Sequence, residues 1–138
     1  MSASKIVYSR LSLGATGDSG AVVSPRQQFQ TRPNNVPYVV YYKNQTRPNG
    51  TKLTTSVIDT ESIIVECYAK DYDAAKDLAA LVRQDLDRIP HGVYAGVLCD
   101  GSHFTNEYDP EYDDTTELYD VQIEFEIRVK RAGLLPSS

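Results

Sequence analysis

The densest chemical signal in the sequence is a run of carboxylates. Seven fall within fourteen residues: Glu107, Asp109, Glu111, Asp113, Asp114, Glu117 and Asp120. Hard cations such as calcium are held by several oxygen ligands, so such a cluster invites a metal reading. An EF-hand loop needs glycine at its sixth position and a closing glutamate at its twelfth, and neither stands in register here. Asp113 and Asp114 are adjacent. That suits neither the separated carboxylates of a glycosidase nor a two-metal nuclease without ligands from elsewhere. The segment is therefore expected to be a solvated acidic loop over 106–117. An electrostatic role toward a polyanion and a small metal-dependent hydrolase are the alternatives.

Gly17-Asp18-Ser19-Gly20 spells the nucleophile loop of trypsin-like proteases. Both histidines, His91 and His103, follow that serine, whereas the protease places its histidine ahead of it on a larger double barrel. No Gly-Lys-Ser/Thr follows to make a phosphate loop, so a glycine-rich turn is expected. His91 falls just past a predicted helix, where it can meet the last carbonyls or stand exposed. His103 lies in a predicted strand beside Phe104 with no nucleophile partner. Cys67 and Cys99 lack Cys-x-x-Cys or paired-histidine spacing, and read as two small buried hydrophobes in a reducing compartment. No catalytic, cofactor or metal residue is assigned, and the chain is not expected to be an enzyme.

The 138 residues suit one domain spanning 1–138, able to bury a sizeable core without staples. Lys and Arg number 14 against 19 Asp and Glu, a net charge of −5, which argues against a protein built to hold nucleic acid. Ten of the thirteen aromatic residues are tyrosines, a residue that commonly lies half-buried on a sheet with its hydroxyl reaching outward. No run of about 18 apolar residues exists to span a membrane. The start, Met1-Ser2-Ala3-Ser4-Lys5, lacks the apolar core of a leader, so a cytosolic product is expected. Without secretion the glycosylation sequons at Asn44 and Asn49 carry no meaning.

The elements that must position these residues follow from period. Ile6-Val7-Tyr8, continuing through Leu11 and Leu13, predicts a strand, and residues 1–35 show no helical period. Gly14, Gly17, Gly20, Pro25 and Pro33 make 14–36 a long, partly extended loop or arm. Tyr38-Val39-Val40-Tyr41-Tyr42 predicts a strand, and Pro48-Asn49-Gly50 a tight turn. From about Ser56 to Lys70, Ile63, Val65, Cys67 and Ala69 alternate with Ile64, Glu66 and Tyr68. Asp71 then stands as N-cap of a helix over about 72–89, whose stripe is Ala75, Leu78, Ala79, Val82, Leu86 and Ile89. Val93 to Phe104 predicts a strand irregular at Gly101. The last strand alternates Val121, Ile123, Phe125, Ile127 and Val129 against Asp120, Gln122, Glu124, Glu126, Arg128 and Lys130, so one face is buried and one is wet. Residues 132–138 are expected to be a flexible tail. The order β-β-β-α-β-β defines an α+β fold of two layers, a mostly antiparallel sheet with one main amphipathic helix on one face.

Several stretches together resemble the phage tail-completion (tail terminator) family over residues 36–130. They are Val36-Pro37-Tyr38-Val39-Val40-Tyr41, Val65-Glu66-Cys67-Tyr68-Ala69, and the helix opening at Tyr72-Asp73-Ala74-Ala75 and closing on Leu86. Tyr112-Asp113-Asp114-Thr115-Thr116-Glu117-Leu118-Tyr119 and the strand after it complete the set. The resemblance implies a virion protein that forms a homo-oligomeric ring, expected to be a hexamer. Such a ring caps the tail tube and meets the head-side connector, with DNA only as transient cargo and no membrane. Its place would be the head-proximal end of the tail, after assembly in the host cytoplasm. The family often begins with a helix, a departure from residues 1–35 as read above. A head–tail neck or connector protein is the alternative. Under the resemblance, Glu107, Asp109, Glu111, Asp113, Asp114 and Glu117 are candidate channel-facing residues that would repel passing DNA phosphates.

Overall fold

A computed structural model of the chain describes residues 2–25, 37–48, 58–114 and 117–130. Three helices and seven strands lie among them. In chain order they are α1 (Ser2–Leu13), α2 (Ala15–Asp18), β1 (Val22–Pro25), β2 (Tyr38–Pro48), β3 (Ile58–Ala69), α3 (Tyr72–Leu86), β4 (Gly92–Tyr94), β5 (Val97–Glu107), β6 (Glu111–Asp113) and β7 (Leu118–Lys130). One sheet runs β1-β2-β3-β7-β5-β4, with β6 paired to β7 beyond the end of β5. Every pairing is antiparallel except that of β1 with β2. This is the expected α+β architecture of two layers.

The alternation in β7 explains its central place. Val121, Ile123, Phe125, Ile127 and Val129 are fully buried under the helices, while Asp120 to Lys130 on the even positions face the other way. β3 supplies Ile63, Val65, Cys67 and Ala69 to the same layer, and β2 adds Val39 and Tyr41. α3 lays its stripe of Ala75, Leu78, Ala79, Val82 and Leu86 on this surface. Each such Leu or Val contributes roughly 1.5–3 kcal/mol by leaving water.

The first segment corrects the sequence reading. Residues 2–13 are a helix, not a strand. Ala3, Ile6, Val7 and Leu11 recur at helical spacing and are all fully buried. The β-branched pair Ile6-Val7 reads locally as strand, but packing across the sheet beside α3 overrides that weak preference. α1 touches both edge strands, β1 and β4, and so lies across the layer. The arm expected at 14–36 is likewise structured where it is described. α2 turns the chain and β1 pairs in register with β2, Val22 opposite Tyr38. The first of the three strands ahead of α3 is therefore β1.

Smaller differences have local causes. β2 runs on from Tyr42 to Pro48 through an irregularity between Lys43 and Gln45. The helix over 72–89 ends at Leu86, because Asp87 turns extended (φ −81°, ψ 131°) and Arg88 follows with a left-handed φ of 56°. The strand expected over Val93–Phe104 is a hairpin, reversing at Ala95 (φ 52°) and Gly96 (φ 80°); its irregularity does fall between Cys99 and Gly101. The acidic loop over 106–117 contains a strand, β6, and begins inside β5. The Asn49-Gly50 turn and the tail at 132–138 lie outside the described residues.

Two buried carboxylates tie the helices down. Asp85, on α3, accepts hydrogen bonds from the backbone N–H of Ala15 at 3.0 Å and of Thr16 at 2.9 Å, capping α2 from another helix. The Arg10 side chain reaches back to the Asp85 carbonyl at 3.1 Å. A Cβ on Gly14 would stand 2.4 Å from Asp85 Oδ1, and one on Gly17 would stand 2.1 Å from the Ser12 carbonyl oxygen, so both glycines answer to close approach. Glu61, in β3, accepts from the Ala3 N–H at 3.3 Å, placing negative charge at the start of α1.

Candidate functional site

The serine of Gly17-Asp18-Ser19-Gly20 closes a helical turn rather than a catalytic group. Its hydroxyl donates to the Thr16 carbonyl at 2.6 Å, and Ser19 N–H donates to Ala15 at 3.1 Å. His91 is exposed, its Nε2 4.0 Å from Asp100 Oδ1. His103 Nε2 lies 3.3 Å from Glu126 on the wet face of the sheet, where Arg47 also pairs with Glu126. Cys67 and Cys99 are both buried and unpaired, and burial pushes both thiols up from their ordinary range. Among the described residues no three His, Cys, Asp or Glu side chains are grouped to hold a metal ion.

The carboxylates do not converge. Glu107, at the end of β5, and exposed Asp109 flank the Lys76 ammonium at 3.9 and 4.0 Å. Glu111 and Asp113 belong to β6, opposite Asp120 and Leu118 of β7. Asp114 and Glu117 are exposed at the turn between those strands, Glu117 with a left-handed φ of 59°. A chain of contacts folds this end against the sheet: the Tyr108 N–H donates to the Gln122 carbonyl at 2.9 Å, and its hydroxyl donates to Glu124 at 3.0 Å. The same Glu124 contact pushes the Tyr108 hydroxyl up.

What the fold does bring together at this end is aromatic. Tyr119 of β7 meets Tyr72, the first residue of α3, edge-on at 6.1 Å between ring centres. It meets Tyr112 of β6 at 5.3 Å and 65°. Tyr119 packs on the core, whereas Tyr72 and Tyr112 are 46% and 52% exposed. Burial, with the charges of Glu117 and Asp114, pushes the Tyr112 hydroxyl up from its ordinary value. Sequence reasoning missed this group. Its signal was present in the tyrosines alternating with acids at 108–119, but Tyr72 joins only through the fold.

Two further surfaces complete the picture. On the wet face of the sheet Tyr38 stacks on Tyr68 at 4.7 Å, with Val40 and Leu118 in a second small apolar cluster. Beside α3, a cleft of about 390 Å³ opens between Ser19, Pro37, Ala69, Lys70 and Leu78. No described helix is long and apolar enough to cross a membrane.

The fold is similar to that of a chain in the virion of a native gene transfer agent particle. The two agree with a TM-score of 0.71 and 18% identity, over 90% of this chain and 91% of that one. At that identity the likeness shows a shared fold. A scan against family models gave no match, and a search of curated proteins gave none.

Proposed function

We propose that this chain is a structural protein of a tailed, phage-like virion. In this reading it assembles as a ring, expected to be a hexamer, that closes the tail tube and joins it to the head-side connector. The observation that carries the reading is the fold likeness, which spans nearly the whole of a virion chain. The tail-completion resemblance over residues 36–130 adds the position in the particle. α1 strengthens that resemblance, because it supplies the N-terminal helix the family often carries.

The surfaces suit assembly. Among the described residues the strand order ends in two short strands, β1 and β4, and each carries an exposed valine, Val22 or Val93. Copies meeting at such edges cover them. The buried polar contacts link helices and strands into one body, as a subunit under load requires, and the reading assigns the chain no bond-making or bond-breaking step. Electron microscopy of particles made without this protein tests it. Tails of uncontrolled length, unattached to filled heads, are expected. Normal tails on leaking heads would move the protein to the neck, and unaffected particles would refute a structural role.

A further inference from the structure

We propose that the tyrosine ridge of Tyr72, Tyr112 and Tyr119 is a docking surface for a different protein of the particle, one that presents arginine side chains. The inference rests on the assembly reading above. Tyr72 and Tyr112 are about half exposed, yet both are held edge-on against Tyr119, which is anchored in the core. Half-exposed rings on hydrogen-bonded elements offer large contact area at little ordering cost, the character of interface anchors. Asp109, Glu111, Asp114 and Glu117 stand exposed in the same segment. The nearby Lys76 is already flanked by Glu107 and Asp109.

A guanidinium answers both features at once, stacking its plane on a ring while its fork pairs with a carboxylate. The chain makes this contact internally, with the Arg83 guanidinium 4.0 Å above the Phe104 ring and Arg10 5.5 Å from that of Tyr94. A second copy is the weaker occupant. Of the five arginines among the described residues, Arg10, Arg47, Arg83 and Arg128 each engage a ring or carboxylate within their own chain, which leaves the exposed Arg88 to reach a neighbouring copy. DNA is disfavoured by the carboxylates themselves, and a wall that only repelled DNA would need charge without exposed rings.

The test places the photo-crosslinking residue p-benzoylphenylalanine at position 72 or 112 of the full chain, in cells producing particles, with a control at position 93 on the far edge strand. The expected result is a crosslink from both 72 and 112 to one other virion protein, at a segment containing arginine. The D114N/E117Q variant should lower that yield about tenfold at low salt, because two rim charges are removed. Crosslinks to DNA, to a second copy or to nothing, in particles that contain the protein, would overturn the docking surface. The assembly reading survives those results if position 93 crosslinks within the particle. Particles that lack the protein altogether would remove both.

Discussion

Removing the Asp85 carboxylate is the most exacting check on how the N-terminal helices are held. In Asp85→Ala the backbone N–H groups of Ala15 and Thr16 lose acceptors at 3.0 and 2.9 Å, and Thr16 is fully buried. A hydrogen bond to a charged group contributes about 1.5–3 kcal/mol, and a lost helix cap costs about 0.5–2 kcal/mol. The two bonds share one group and are not additive, so a loss of about 3 kcal/mol is expected. An unfolding entropy near 2.1 cal/mol/K per residue, over 138 residues, converts this to a fall in Tm of about 10 °C. The Arg10 contact to the Asp85 carbonyl is backbone-directed and survives the change. Asp85→Asn keeps one acceptor and should lose about 2 kcal/mol. Urea unfolding followed by far-ultraviolet circular dichroism reads both, provided the slope with denaturant stays constant. Because the carboxylate is buried, the loss should be the same in about 0.5 M salt as at low salt. An Asp85→Ala protein within about 0.5 kcal/mol of the parent, the range of an ordinary surface change, would refute the role.

Two other outcomes follow from the same structure. Gly17→Ala places a Cβ 2.1 Å from the Ser12 carbonyl oxygen, a backbone atom, so the α1–α2 corner must open; a loss above about 2 kcal/mol is expected in the same unfolding assay, and an unchanged midpoint would count against the corner as described. At alkaline pH, burial with Tyr8 nearby pushes the Tyr41 hydroxyl up to about 12, and burial raises the thiols of Cys67 and Cys99. A raised folded-state pKa adds stability that is complete below the unfolded value and is lost as pH climbs toward the folded one. The urea midpoint should therefore hold to about pH 9 and fall between about pH 10 and 12. A midpoint that is flat or rising across that window would contradict the burial of these groups.

The acidic segment shows how structure redirects a chemical signal. Read as a string, 107–120 suggests either a cation site or a charged loop. Folded, these residues are spread over β5, β6 and the turn before β7, with no three grouped to hold a metal ion among the described residues, and the rings drawn together are those of tyrosines. Pairing in β6 places Tyr112 against Tyr119, and the start of α3 adds Tyr72 from forty residues earlier in the chain. The Gly17–Gly20 motif is a similar case. Its first glycine is required by the Ser12 carbonyl, and its serine hydroxyl bonds to its own turn.

The sequence by itself determined the parts whose pattern is local. The period-two alternation of β3 and β7 and the stripe of α3 each assign a residue to a face from its neighbours alone, so the sheet, its buried side and the helix covering it were legible. Only the tertiary structure decided the rest. Residues 2–13 became a helix because a sheet surface was there to receive Ala3, Ile6, Val7 and Leu11, whatever the strand preference of Ile6-Val7. Asp85 and Glu61 are buried because helix starts distant in sequence aim their N–H groups at them. Periodicity is a property of adjacent residues, whereas a cap, a helix crossing and an aromatic ridge each need partners that meet only when the chain has folded.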